Sequence, residues 1–446
     1  MTEVSLYDIL LAREKRVRLQ DDMINRFQSP IISFTMNIAG PQKNSALIRR
    51  AFRVGLDYLD SAIAESSVKF KHIDLLNPAG PLAIYSLDLD IMDIKNICVE
   101  AEEKTALGRL FDMDVIDTSH NKISRSSERG CIVCGAPGRA CAAGRIHPIN
   151  EIVSTMNQIM MEGLLEYDAE RFAILVKDCL VREVRTTPKP GLVDLNNNGS
   201  HKDMSVDTFE RSAYALLDYF KACFIIGSRH SNDNELFLEL RNAGLAAEKS
   251  MYQATDGVNT HKGAIFSFGI LCGALGQLWT SEKSVPELET LLWRVGLIAQ
   301  NAIIYDFYSP IGCTAGERMY ISHGLTGIRG EAASGFKSVQ DVALPLYSSL
   351  LKDGLSQNEA GVITLLHLIA YIDDTAIYNR GGIDGLNFAK ACASELLQKE
   401  KVPQTSEIEA LDAEFIQRNL SAGGSADLLA VTYFLYEINK IRDEQN

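Results

Sequence analysis

Apolar residues recur along this chain in two different rhythms, and the change falls near residue 168. In the first part, helix-like and strand-like stretches alternate. Residues 6–20 form a charged amphipathic stretch with Ser5 placed as an N-cap. Residues 30–38 contain the β-prone run Ile31-Ile32-Ser33-Phe34-Thr35-Met36. Between 44 and 63, Leu47, Ile48, Ala51, Phe52, Gly55, Leu56 and Leu59 fall at helical spacing. Residues 82–87 read as a buried strand, 91–107 as a helix stopped by Gly108, and 109–117 as a further strand. Beyond about 166 the period is 3.6 almost throughout. Helices are predicted over 172–185, 206–226, 234–254, 263–279, 286–304, 339–352, 357–380, 383–398 and 425–441. The pattern predicts a multidomain chain, with an α+β domain over 1–168 followed by an all-α domain over 169–446. The seam at 166–171 is polar but holds neither Pro nor Gly. There are no internal repeats.

Composition narrows this picture. At 446 residues, 46% of them apolar, the chain is long enough for two or three cores. No apolar run reaches the length of a membrane span, and the polar start Met1-Thr2-Glu3-Val4-Ser5 lacks the apolar core of a secretory signal. Nine scattered cysteines suit a reducing compartment, so a cytoplasmic location is expected. A formal net charge of −14 argues against nucleic acid as a partner. An anionic small molecule would need local Lys/Arg clusters or a bridging metal ion.

Three features of the first domain carry chemistry. In Gly108-Arg109-Leu110-Phe111-Asp112-Met113-Asp114-Val115, Asp112 and Asp114 would project from one face of a strand. Two carboxylates so placed can share divalent metal for in-line attack on phosphorus, or lie on a solvated edge strand. Asp88 and Asp90 could add a ligand, but an N-cap role is favoured for that pair. The turn from Gly40 to Ser45, with Lys43 inside it and Arg49-Arg50 on the helix beyond, is either a phosphate cradle or an ordinary capped turn. Cys131, Cys134, Cys141 and His147 are separated by two, six and five residues. That spacing suits a structural zinc site closed by four protein ligands, the alternative being reduced thiols in a loop.

These features resemble one family. The run from Ser5 through Arg16, Ser33-Phe34-Thr35, Gly40-Pro41 with Lys43, Leu107–Val115 and the Cys/His set are together similar to the holo-citrate lyase synthases. The resemblance covers about 3–165. It implies a nucleotidyltransferase-like reaction, in which a serine of the citrate lyase acyl carrier protein (its γ subunit) attacks a triphosphoribosyl group and pyrophosphate leaves. It further implies Mg²⁺ at Asp112 and Asp114, with Arg109 and Lys43 near phosphates.

The second domain carries five polar islands on its apolar scaffold. The first is the stiff loop Thr186–Asp194 with Lys189 and Asp194, followed by His201, Lys202 and Asp203; it could be a plain linker, which would leave those side chains unexplained. The second, Gly257–Gly263, holds Asn259, His261 and Lys262 ahead of a helix of small residues, and suits a phosphate or a simple cap. The third, Gly324–Phe336, carries four glycines with Arg329 and Glu331 and reads as a mobile lid. The fourth is a helix opened by Ser356 and Glu359, whose apolar seam Val362, Leu366, Ile369 continues onto Asp373, with Asp374 beside it and Arg380 two turns on. A buried carboxylate there needs a partner, either a salt bridge or a metal–triphosphate. The fifth places Asp427 near the start of the last helix, where the helix dipole alone would stabilise it.

In this order the islands resemble the triphosphoribosyl-dephospho-coenzyme A synthases over about 175–435. The implied reaction joins ATP to dephospho-coenzyme A and releases adenine. Asp194, His201, Asp203 and Glu331 are then candidate bases. Asp373 and Asp374 are candidate Mg²⁺ ligands, and Lys189, Lys202, Asn259, His261, Lys262, Arg329, Arg380 and Asp427 are candidate substrate contacts. The product of the second domain would be the substrate of the first. Competing readings are the same chemistry serving a malonate decarboxylase carrier, and a non-catalytic zinc-bearing scaffold.

Overall fold

The computed structural model describes residues 4–125, 128–307, 315–399 and 402–445. The chain divides into two compact units, Met1–Asp168 and Ala169–Asn446. The division falls inside one helix, α5 (Ile149–Arg185). The polar run 166–171 is therefore helical: it has nothing to break a helix, and its polar side chains are either exposed, as Glu166 and Glu170 are, or paired, as buried Asp168 is with Arg50.

Unit 1 is built on a four-stranded sheet of order β2-β3-β1-β4, from β1 (Ile31–Met36), β2 (Val68–Asp74), β3 (Leu82–Leu87) and β4 (Phe111–Ile116), every pairing antiparallel. Around it lie α1 (Leu6–Phe27), α2 (Ala46–Ala62), α3 (Ile91–Glu103) and the short α4 (Gly138–Ala143). Strand alternation divides the faces. Phe34 stacks on Phe52 of α2 with ring centroids 4.3 Å apart and meets Phe111 edge-on at 5.4 Å. Such pairs add about 1 kcal/mol each beyond simple burial. On the opposite face Ile31 and Ile84 pack under Met23 and Ile24 of α1. β2 has no counterpart in the sequence reading. It is an edge strand whose residues alternate between half-buried and exposed, with Lys69 and Lys71 along it, so its apolar signal is weak.

Among the described residues of unit 2 every regular element is a helix, with no strand. They form α6 (Val206–Ala215), α7 (Leu217–Gly227), α8 (Asp233–Ala254), α9 (Lys262–Leu278), α10 (Leu288–Phe307), α11 (Ala315–His323), α12 (Gly327–Ala333), α13 (Leu344–Lys352), α14 (Gln357–Tyr371), α15 (Thr375–Lys399), α16 (Thr405–Gln417) and α17 (Gly423–Gln445). The central pair is α7 and α9. A Cβ at Gly227 or Gly276 would run into the backbone of the facing helix, which is why α9 is rich in small residues. Three expectations change. The stretch 324–336 is not a bare lid, because α12 occupies its middle. The predicted helix over 206–226 divides at Leu216. The predicted helix over 357–380 breaks at Ile372, whose φ/ψ of −85°/159° is extended, and α15 begins anew with Asp374 ahead of it. Among the described residues no single helix is long and apolar enough to cross a membrane.

Candidate functional site

Each unit contains a cavity. That of unit 1, about 1000 Å³, opens beside β4. Asp112 and Asp114 stand on the α1 side of the strand, opposite Thr35 and Ser33 of β1. Thr35 donates to Asp112 at 3.4 Å, and Lys122 pairs with Asp114. Loss of solvent, and then the charge of Asp114, hold the Asp112 carboxyl above the usual carboxylate range. The outer edge of β4 is finished by side chains. Glu102 accepts from the Met113 amide at 2.9 Å, and Arg129 donates to the Phe111 carbonyl at 2.6 Å while pairing with Glu102. Arg109 lines the cavity and donates to the Gly130 carbonyl at 2.5 Å.

Lys43 and Arg49, expected near phosphate, lie elsewhere. Neither lines this cavity. Lys43 is bound to the Ile38 carbonyl, and Arg49 donates to Asn44 at 2.8 Å. The turn 40–45 is thus a self-satisfied turn leading into α2, the ordinary alternative.

The predicted Cys/His set does converge. One ligand atom from each of Cys131, Cys134, Cys141 and His147 lies within 4.8 Å of the others, and the Cys134 and Cys141 sulfurs are 3.8 Å apart. The donor set fits zinc on an independent observation. His147 Nδ1 faces Glu151 at 3.2 Å, whereas its Nε2 is buried without a hydrogen-bond partner. A carboxylate that accepts a hydrogen bond from Nδ1–H leaves the Nε2 lone pair free for a metal. The Cys134 thiol is drawn down to about 7, first by its contact with His147.

The cavity of unit 2, about 640 Å³, collects residues of all five islands. His201, Asn259, His261, Lys262, Glu331, Asp373, Asp374, Arg380 and Asp427 all line it, with Lys189 at its floor. Its lining carries five carboxylates against three Lys/Arg. Asp427 is the carboxylate without a partner: among the described residues no group bonds to it. Enclosure by protein, followed by Glu183 and Asp374, holds its carboxyl well above the usual range. A Cβ on Gly263, in the first turn of α9, would run into this carboxylate. His261 bonds through Nδ1 to Ser212 at 2.7 Å, its Nε2 is buried and unpartnered, and burial pushes its pKa down to about 3. It is a neutral ring with one polar atom left over.

Several expected roles are corrected. The buried carboxylate is Asp374, not Asp373. Asp373 is exposed and pairs with Lys390 at 2.8 Å. Asp374 is 1% exposed and accepts from the amides of Ala376 (2.8 Å), Ile377 (3.3 Å), Gly424 (3.3 Å) and Ser425 (2.7 Å), and from the Ser425 hydroxyl (2.9 Å). Five donors fill the lone pairs of one carboxylate, so Asp374 ties α15 to α17 rather than offering an open metal ligand. Asp194 is no base: it accepts three backbone N–H groups, from Lys189, Asn196 and Asn197, and lies outside the cavity lining. Lys202 and Asp203 are exposed and also lie outside it. Arg329 is bound to Asp306 at 2.5 Å, away from the lining. His201 contacts Arg380 through Nδ1 at 3.1 Å and Ser421 through Nε2 at 2.9 Å. Its acceptor nitrogen already faces a guanidinium, so it orients Arg380 and has no lone pair ready for a proton.

Sequence reasoning missed Glu183, which is buried and pairs with Lys189 at 2.5 Å at the cavity floor. No local signal marks it, because it sits on a helix face among apolar neighbours. It also missed Lys122, Arg125, Arg129, Arg139 and Arg145 in unit 1. Charge patterning would have found these: 122–145 holds five cations and one acid in a chain of net charge −14.

Comparison with known proteins adds the family. Residues 169–446 match the profile of the ATP:dephospho-CoA triphosphoribosyl transferases, and residues 4–163 that of the apo-citrate lyase phosphoribosyl-dephospho-CoA transferases. Protein CitXG of Haemophilus influenzae is 36% identical over 97% of this chain and 96% of its own length. Protein CitXG of Leuconostoc mesenteroides is 31% identical over 97% of each. The 2-(5''-triphosphoribosyl)-3'-dephosphocoenzyme-A synthase of Klebsiella pneumoniae is 41% identical over 63% of this chain and 95% of its own length.

Proposed function

The chain belongs to the family that fuses an apo-citrate lyase phosphoribosyl-dephospho-CoA transferase to an ATP:dephospho-CoA triphosphoribosyl transferase, and from that membership we propose how its two cavities divide the work. The protein is a bifunctional transferase. It makes 2'-(5''-triphosphoribosyl)-3'-dephospho-CoA from ATP and dephospho-CoA with release of adenine. It then moves the phosphoribosyl-dephospho-CoA group onto apo-citrate lyase with release of pyrophosphate.

The unit 2 cavity is the seat of adenine release. A ribose hydroxyl of dephospho-CoA attacks the anomeric carbon of ATP, the bond to adenine breaks, and the triphosphate is kept. The observation that carries this assignment is the unpartnered Asp427 carboxylate inside the cavity. Its raised proton affinity suits removal of the hydroxyl proton, and its charge suits an oxocarbenium-like centre. His261 Nε2 is the donor left over for the departing purine. With five carboxylates and three Lys/Arg in the lining, a triphosphate needs divalent metal to enter. Asp373 would hold Mg²⁺ there, with Lys262, Arg380 and Asn259 on phosphate and ribose, and Glu331 held by Ser338 for a substrate hydroxyl.

Unit 1 is the nucleotidyltransferase-like half. A serine hydroxyl of the acyl carrier (γ) subunit of citrate lyase attacks the phosphorus next to ribose, and pyrophosphate departs. Asp112 and Asp114, side by side on β4, would hold Mg²⁺, which supplies charge neutralisation at the reacting phosphate. Cys131, Cys134, Cys141 and His147 would hold one zinc ion, which with four protein ligands supplies a structural crosslink. None of the eight described cysteines is in a disulfide, which suits the cytoplasm.

The test is mass spectrometry of the chain with ATP, dephospho-CoA and Mg²⁺, with and without the apo-carrier. Asp427→Asn is expected to stop adenine release while transfer of supplied triphosphoribosyl-dephospho-CoA continues, and Asp112→Asn to do the reverse. Adenine release undiminished in Asp427→Asn removes that residue from the reaction.

A further inference from the structure

The cavity of unit 1 is cationic in an acidic chain. Seven Lys/Arg line it against four carboxylates. Most of these cations are already engaged. Lys122 pairs with Asp114, Arg125 with Glu102 and Glu103, and Arg129 with Glu102, while Arg109 is held by the Gly130 carbonyl. The seventh, Lys95, is buried; Arg139 and Arg145 differ from all of these, for both are exposed, and among the described residues neither guanidinium has an ion-pair partner. Both are carried on the segment between Cys134 and His147, the loop that the Cys/His set closes.

We propose that this Cys₃His loop is the polyphosphate-binding wall of the transfer site, with Arg139 and Arg145 receiving the pyrophosphate end of the triphosphoribosyl nucleotide. The proposal rests on the reading that unit 1 carries out the transfer to the carrier. Three observations support it. First, α4, the only helix in the loop, has six residues and is too short to hold its own shape, so the positions of the two arginines depend on the ligand set around them. Secondly, the loop is stitched to the strand that carries the paired carboxylates. The Gly138 amide donates to the Arg129 carbonyl at 3.1 Å, and the Arg129 side chain donates to the carbonyl of Phe111, the residue before Asp112. The Cys/His loop and β4 are thereby fixed to one another across one cavity. Thirdly, the chemistry leaves a charge to place. As the bond from the serine oxygen to phosphorus forms, the bond to pyrophosphate breaks and negative charge gathers on the leaving oxygens. The two carboxylates would hold Mg²⁺, which would supply charge neutralisation at the reacting phosphate. The two distal phosphates call for planar, permanently charged donors, which guanidinium groups supply.

The experiment uses the full chain and supplies triphosphoribosyl-dephospho-CoA directly to the apo-carrier. Arg139→Ala and Arg145→Ala are each expected to raise KM for the nucleotide about tenfold, from the loss of one charge-assisted contact. Product inhibition by inorganic pyrophosphate should weaken by the same factor. Bound zinc, measured on the same samples, and adenine release by the other unit are expected to stay at wild-type levels. Arg→Lys at either position should recover part of the pyrophosphate inhibition, which a purely structural role would not give. Unchanged KM and unchanged pyrophosphate inhibition would overturn the proposal. So would loss of zinc from the arginine variants, or a wild-type chain that binds no zinc. A wild-type chain that releases adenine yet never labels the carrier would instead overturn the transfer reading beneath it.

Discussion

Replacing Asp374 by Ala separates a structural carboxylate from a metal ligand. In the wild type the two oxygens accept four backbone N–H groups and one hydroxyl, all at a residue 1% exposed. Two of those amides open α15, so their loss is that of an N-cap, about 1 kcal/mol. The other two and the hydroxyl belong to the start of α17, and stranding them away from water costs about 1–3 kcal/mol more. The total is on the order of 3 kcal/mol, enough to lower the unfolding temperature by roughly 6–12 °C for a unit of this size. The carboxyl is raised above the usual range by its burial, so part of its charge is already a burden, and the lower half of that interval is the better expectation. Both tryptophans, Trp279 and Trp293, lie in unit 2, so fluorescence during heating of the full chain reports on that unit alone. Asp373→Ala is the paired control. It removes one exposed ion pair to Lys390 and is expected to shift stability by less than about 1 kcal/mol. The reasoning fails if Asp374→Ala melts with the wild type while the Mg²⁺ concentration for half-maximal adenine release rises tenfold. That pattern belongs to a metal ligand, not a cap.

Other outcomes follow from the same geometry. Gly263→Ala is expected to displace the Asp427 carboxylate and lower adenine release about 100-fold, measured by product mass, with a change in unfolding temperature of only a few degrees. Gly276→Ala should instead cost about 1–3 kcal/mol of stability, because a methyl there meets the backbone of α7, and denaturant unfolding by tryptophan fluorescence measures it. His261 is held neutral down to about 3, whereas the unfolded chain takes up that proton near 6.5. The unfolded state therefore binds more protons below 6.5, and stability is lost as pH falls through that window. Between pH 7.5 and 5.5 this contributes about 1.4 kcal/mol, so His261→Gln should show a shallower acid slope in unfolding by that amount. Stripping zinc with a chelator should abolish carrier labelling while adenine release, assayed with Mg²⁺ restored, continues.

Periodicity and spacing settled much in advance. The alternation in Phe111–Ile116 made β4 a strand and put Asp112 and Asp114 on one face, because side chains on a strand repeat every two residues. The Cys/His intervals were short enough for the chain itself to bring four ligand atoms together. The small residues of α9 announced a close helix crossing. What the sequence could not decide was which polar side chain meets which. Asp373 and Asp374 are neighbours of one type, and helical extrapolation buried the first. The helix in fact ends at Ile372, so the second turns inward to the amides of α17, some fifty residues away in sequence. Lys43, Arg49 and Arg329 have the composition of phosphate ligands but are already bonded to nearby protein groups. Whether a charge is spent or free is a property of three-dimensional neighbours, since burial and partnering act over a few ångströms regardless of distance along the chain. Asp427 shows the converse: an unremarkable acid near a helix start in sequence, it becomes the unpaired carboxylate of a cavity only once α9 is folded against it.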